Sequence, residues 1–231
     1  TVSAAQNYQN YGNSVAVDGD FMVVGAYAYD IGSHAYQAAT YLYQKDVTGN
    51  WQFVKKLVAS DGAESDDFGW SVAISGTTVV VGAPADDSDT NSDQGSAYIF
   101  ERDQGGTNAW GEVKKLVASD GAEGDSFGFS VAISGNTVVV VASGDDIGIH
   151  ADQGSAYIFS RNRGGTNAWG QVKKLLASDG ADSDYFGHSV AISGNTVVVG
   201  NAFDDIDTNG DQGSAYIFER DQGGTNAWGE V

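Results

Sequence analysis

The sequence has no cysteine, which excludes disulfides and thiolate metal sites. It has one proline and three histidines, and no apolar run approaches the roughly 18 residues of a membrane span. Basic residues are scarce: 11 Lys and Arg stand against 31 Asp and Glu, a formal net charge of −20. That balance repels nucleic-acid phosphates and anionic membrane surfaces, and leaves a cation partner or a solvated acidic surface as better fits. No nucleophile elbow is present, and three histidines at non-equivalent or loop positions give little support to acid–base chemistry, so no enzyme is expected. The chain opens on Thr1 without a signal-peptide pattern, as a processed or excised segment would. What is abundant is glycine, with 32 residues, beside 11% aromatics. This mixture suits many short strands joined by tight turns rather than disorder.

Internal repetition dominates the chain. "DQGSAYIF" recurs at 93–100, 152–159 and 211–218, a period of 59 residues. "FGWSVAISG" (68–76), "FGFSVAISG" (127–135) and "FGHSVAISG" (186–194) keep that period, as do Trp51, Trp110, Trp169 and Trp228. A diverged first copy reads "YGNSVAVDG" at 11–19, and is two residues shorter just before Trp51. Each copy holds four strand-like runs, exemplified by "FGWSVAIS", "TTVVVGAPA", "GSAYIFER" and "AWGEVKKLVAS". "SGTT" or "SGNT" makes a hairpin-sized link between the first two runs. Nothing reads as a helix of normal length. Four-stranded units at a fixed period predict an all-β fold: a β-propeller of four four-stranded blades in one domain, residues 1–231. The blades fall at about 1–57, 58–116, 117–175 and 176–231. Val231 aligns with Val113, and Thr1-Val2-Ser3 with "VAS" at 58–60, so the ends could close a ring in one strand position. A longer array, or an open edge paired with another subunit, are the alternatives.

"FG…SVAI" followed by "VVVGAP" (Val79 to Pro84) resembles the FG-GAP repeat of integrin α propellers and of many extracellular microbial proteins. Phe68–Gly69 and Gly82–Ala83–Pro84 match both name-giving motifs. Copy four has Phe186–Gly187 and Gly200–Asn201–Ala202, copy three Phe127–Gly128 and Val141–Ala142–Ser143, copy one Tyr11–Gly12 and Gly25–Ala26–Tyr27. The resemblance implies an extracellular or cell-surface location. It also implies a calcium loop, D-x-D-x-D-G-x-x-D, between the first two strands. Here that link is only "ISGTTV" or "ISGNTV", with no carboxylate except Asp18 and Asp20 in copy one, so the family's usual metal site is absent.

Calcium candidates lie elsewhere. Most of the 31 acidic residues fall in the loops between strands two and three and between strand four and the next strand one, which share a face in an up-down blade. The eleven basic residues lie outside those loops, which predicts one almost purely anionic face. Calcium accepts carboxylate, amide and carbonyl oxygens in flexible geometry. Asp87, Asp89, Asn91 and Asp93 in copy two, and Asp205, Asp207, Asn209 and Asp211 in copy four, are the candidate ligands. The spacing opens like an EF-hand loop, but position 12 from Asp205 is Tyr216, not glutamate. The bland reading is that Asp, Asn, Ser and Gly make good turns and that acidity keeps the protein soluble. Copies one and three carry His34 and His150 at this loop, more simply surface residues than metal ligands.

The periodic tryptophans could stack on sugars, although packing between blades suits residues that recur at one position in every copy. Asn13, Trp70, Phe129 and His188, which follow the FG glycine, point to the axis and could line a small pocket there. The expected function is a non-enzymatic extracellular adhesion or structural repeat module, stabilised by calcium and able to self-assemble. A carbohydrate-binding lectin is the alternative. The expected partners are calcium, further copies of the chain, other extracellular proteins and glycans, with no nucleic acid and no membrane insertion.

Overall fold

Val-rich runs set the middle strand of each sheet, because β-branched side chains fit a pleat that is packed on both faces. A computed structural model describes residues 10–27, 38–87, 91–206 and 210–231. The described residues form sixteen strands and no helix. The first sheet comprises β1 (Val15–Asp18), β2 (Phe21–Ala26), β3 (Ala39–Lys45) and β4 (Trp51–Leu57). The second comprises β5 (Ser71–Ser75), β6 (Thr78–Ala83), β7 (Ser96–Glu101) and β8 (Gly111–Leu116). The third holds β9 (Phe127–Ser134), β10 (Thr137–Ala142), β11 (Ser155–Ser160) and β12 (Gly170–Leu175). The fourth holds β13 (Ser189–Ser193), β14 (Thr196–Asn201), β15 (Ser214–Glu219) and β16 (Gly229–Glu230). Every sheet is an antiparallel meander in sequence order. These are four propeller blades, one for each 59-residue repeat.

The β5–β6 hairpin pairs Ser75 with Thr78, and Gly76 takes a φ of 58° at the first turn position, as a II′ turn requires. β6 and β10 are buried along their whole length. Alternation along β6 divides its residues between two neighbours. Val79 and Val81 pack with Val23, Leu42 and Leu57 of the first blade. Val80 faces the other way, into a core shared with Phe127, Val131 and Val140 of the third blade. The same arrangement joins the third and fourth blades through Val139, Ile158, Val197 and Val199. Trp110, Trp169 and Trp228 lie just before strand four at positive φ and are almost fully buried in these cores. Arg161 and Arg220 cover the rings of Trp169 and Trp228. The three tryptophans therefore pack between blades and present no face to a sugar.

The FG and GAP motifs turn out to be two halves of one contact between blades. A Cβ on Gly82 would stand 2.0 Å from the carbonyl oxygen of Gly128, and one on Gly25 would stand 2.1 Å from that of Gly69. At these two junctions the GAP glycine leaves room for the backbone of the next blade's FG glycine. Ser14 and Ser71 hold those carbonyls through hydroxyl hydrogen bonds of 2.9 and 2.8 Å. Where Val141 replaces the GAP glycine, the β9–β10 ladder shifts register and the valine side chain occupies the space beside Gly187.

The meander brings both acidic loop sets to one face, as the blade topology predicts. Gly124 and Ser126 donate backbone N–H bonds to Ser92 and Asp93, and Phe127 donates to Gln94. Ring closure between the fourth and first blades is not seen among the described residues, because the faces it would bury are exposed. Val15 and Val17 are each 65% exposed, and Ile217 is 42% exposed. The N-terminal segment invoked for closure lies outside the described residues.

Candidate functional site

On the loop face, the tyrosine of "DQGSAYIF" anchors a partly buried cluster. Tyr98 Oη lies 2.9 Å from Asp61 Oδ1 and 3.1 Å from Asp86 Oδ2. Lys115 Nζ sits 2.8 Å from Asp61 and 2.6 Å from Asp86. The third blade repeats the cluster: Tyr157 lies 3.0 Å from Asp120 and 2.8 Å from Asp145, and Lys174 lies 2.8 and 2.7 Å from the same two carboxylates. In the fourth, Tyr216 meets Asp179 at 2.7 Å and Asp204 at 2.9 Å. Asp61, Asp120 and Asp179 come from the loop before strand one, and Asp86, Asp145 and Asp204 from the loop after strand two. Each tyrosine therefore ties together two segments far apart in the chain. The face expected to be almost purely anionic also holds Lys115 and Lys174, which reach into it from strand four.

These contacts sort the carboxylates by proton affinity. Burial opposes ionisation of Asp61 and Asp120, but lysine and tyrosine hydrogen bonds outweigh it and hold both below the usual range. Asp66, Asp67 and Asp125 lack such a cation at contact distance. Burial raises each from 3.8 to about 6, with added repulsion from Asp86 on Asp66, from Asp93 on Asp67 and from Asp145 on Asp125. In the folded state the raised groups bind protons more tightly than in the unfolded chain. Their contribution to stability is therefore complete below pH 3.8 and lost as pH rises through 6. The lowered pair works in the opposite direction, and loses its contribution only in acid below the unfolded carboxylate range. Thermal melts are expected to show a stability maximum between about pH 4 and 5, several degrees above the value at pH 7.5. A melting temperature that falls steadily from pH 7.5 to 5 would show that these carboxylates are not strained.

The predicted calcium ligands separate into two groups. Asp87, Asn91, Asp93, Asp205 and Asp211 are described, whereas Asp89, Asp207 and Asn209 lie outside the described residues, as does His34. Asp87 Oδ1 accepts the Asp93 N–H at 3.0 Å, and Asp205 Oδ1 accepts the Asp211 N–H at 2.8 Å. In copy three, Asp146 closes its loop onto Asp152 in the same way at 2.8 Å, without the Asp-x-Asn continuation. The first aspartate is thus a turn-closing residue in all three loops. The Asn91 amide donates to Gln94 and to the Gly121 carbonyl. His150 pairs with Asp182 at 2.9 Å. Among the described residues no group of three or more His, Asp or Glu side chains is placed to hold a metal ion.

The axis offers a different surface. Trp70, Phe129 and His188, which follow FG glycines, join other rings in a continuous aromatic strip running Tyr27, Trp70, Phe129, His188, Phe203 and Tyr185. Successive centroids lie 4.8 to 5.8 Å apart. At its far end an open cleft of about 540 Å³ is lined by Phe129, Tyr185, His188 and Phe203, with Ser126, Ser143 and Asp152 as polar groups. Phe129 and His188 were legible as axial residues. Tyr185 and Phe203 were not, because they come from loops whose meeting depends on blade packing. The tyrosine clusters were also missed, although a hydroxyl repeated in a buried strand was the available signal.

No curated protein matches the chain. The FG-GAP repeat model matches four successive segments, residues 1–43, 51–100, 110–159 and 169–218. The last three segments each run from strand four of one blade through strand three of the next, and they include Gly69, Gly82 and Gly128, which meet between blades. FG-GAP repeats are typical of extracellular proteins and suggest an integrin-like repeat module. The chain belongs to the FG-GAP repeat family.

Proposed function

We propose that this chain is a non-enzymatic extracellular module with an adhesive or structural role, stabilised by calcium at the loops 87–93 and 205–211. The observation that carries the reading is the use of the buried carboxylates. Blade after blade, they meet the same tyrosine hydroxyl, joined in the second and third blades by a lysine, which is repeat architecture rather than a single reactive centre. Calcium suits the loop face because exposed Asp87, Asp93, Asp205 and Asp211 crowd charge that only a cation or water can screen. One observation favours a second reading, a lectin: the axial cleft combines aromatic rings with hydroxyl and carboxylate groups, the chemistry that stacks and hydrogen-bonds a pyranose.

A thermal melt and a glycan array, each run in calcium and in EGTA, test both readings. If calcium is held at 100 times its dissociation constant, EGTA removes about 2.7 kcal/mol, a fall of roughly 5–10 °C for a chain of this size. An unchanged melting temperature removes calcium from the proposal. A silent array supports the adhesive or structural module. Glycan binding that disappears in Phe129→Ala establishes the lectin instead, and turnover of chromogenic glycoside or ester substrates would overturn both.

A further inference from the structure

Three internal junctions show how one blade receives the next, and the two outer blades carry the unused halves of that junction. In the second and third blades Val80, Ile99, Val139 and Ile158 are fully buried under the following blade. Their fourth-blade counterparts Val198 and Ile217 are 38% and 42% exposed. On the receiving side, Val72 and Val131 are under 10% exposed, against 65% for their first-blade counterpart Val15.

The FG contact is unpaired as well. Gly69 and Gly128 press against the preceding blade, but a Cβ on Gly12 would meet nothing within 4 Å. Gly12 already donates to the Gly25 carbonyl, as Gly69 does to that of Gly82, so the edge is preformed. On the fourth blade an open cleft of about 350 Å³ is lined by Ser189, Gly200 and Gly213, which match the Ser71, Gly82 and Gly95 that surround Phe127–Gly128. Asn201 lines the same cleft, only 1% exposed, and neither of its amide atoms has a hydrogen-bond partner.

Charge agrees with this pairing. Arg161 joins Glu101 at 2.8 Å and Thr78 at 2.6 Å across one junction, and Arg220 reaches Thr137 at 2.8 Å across the next. The fourth blade presents the matching pair, Thr196 bonded to Glu219, to which no arginine is joined among the described residues. The first presents exposed Lys45 at the position of those arginines.

We propose that a second copy of this chain docks head to tail, its Tyr11–Gly12 edge entering the Gly200–Gly213 cleft and its Val15 face covering Val198 and Ile217. A second copy fits because each chain carries both halves of a junction it already makes three times. The contact is heterologous, so repetition closes a two-chain ring or extends a filament. The proposal gives the self-assembly of the module reading its surface.

Sedimentation velocity over a concentration series tests it, using Val15→Lys and Ile217→Lys. Both residues are exposed in the single chain, so far-ultraviolet circular dichroism is expected to stay unchanged and the melting temperature to match that of wild type diluted to the single chain. The wild type is expected to sediment as a dimer or larger, and each variant alone as a single chain. An equimolar mixture is expected to form a heterodimer that stops there, because only one competent face remains on each partner. A wild type that stays a single chain at every concentration overturns the docking, as does either variant assembling like the wild type or a mixture that fails to pair. Loss of melting temperature in Val15→Lys without a change in mass shows that the chain covers its own face, and also overturns it. None of these results bears on the glycan and calcium tests, so the two readings fail separately.

Discussion

Replacing Gly128 by alanine is expected to lower the melting temperature by roughly 10 °C. Gly128 has a φ of 101°, and its new Cβ would stand 2.2 Å from the Ser96 carbonyl oxygen and 2.9 Å from the Ala83 nitrogen. Both neighbours are backbone, so no side-chain rotation relieves the clash. A strained backbone angle costs roughly 1–3 kcal/mol and overpacking a further 1–3 kcal/mol. Gly124→Ala is the control: its φ is 84°, but nothing lies within 4 Å of the added methyl. That variant is expected to lose only the strain contribution. Amide exchange should localise the Gly128→Ala damage to the junction of the second and third blades. Equal destabilisation by the two substitutions would mean that the FG–GAP contact does not limit blade packing.

Lys174→Met is expected to cost about 3 kcal/mol at pH 7.5, whereas Lys173→Met on the exposed side of the same strand changes stability by under about 0.5 kcal/mol. Among the described residues Lys174 is the only cation at contact distance from Asp145, whose side chain is 6% exposed. Methionine retains the aliphatic packing but leaves that carboxylate buried with hydroxyl partners alone. The estimate takes the low end of the range because Asp120, the other partner, is half exposed. Without the ammonium, Asp120 loses the ion pair that holds its carboxyl below the usual range. That part of the destabilisation is present at neutral pH and shrinks in acid below the unfolded carboxylate range, as the carboxylate takes up a proton. Denaturant melts of both variants at pH 7.5 and 3 provide the check. A deficit that is the same at both values would show that lost packing, not an unpaired charge, causes it.

The blades themselves were open to inspection in the sequence. Strand identity rests on period-2 patterning and β-branched runs, and turn identity on residues such as Gly76 that tolerate positive φ. Both are encoded within a few adjacent residues, and the 59-residue repeat states them several times over. The turn-closing aspartates at 87, 146 and 205 are local in the same sense, since each bonds a backbone N–H six residues on. The axial positions of Trp70, Phe129 and His188 also followed from their place beside the FG glycine.

What the tertiary structure decided are the contacts that cross from loop to loop and from blade to blade. Lys114 and Lys115 are indistinguishable in sequence, yet pleat and blade twist send only Lys115 to Asp61, 54 residues away. Tyr98 looked like one apolar position of a buried strand until Asp61 and Asp86 met at its hydroxyl. Tyr185 and Phe203 became part of one cleft only when separate loops converged. The exposure of the outer blade faces was equally out of reach, because Val15 and Val72 carry the same pattern and differ only in whether a neighbour covers them. By itself the sequence determined four blades and the polarity of their loops, since local dihedral preference and alternation suffice for that. Which carboxylates share a cation, and which apolar faces remain uncovered, depend on through-space packing that no local pattern encodes.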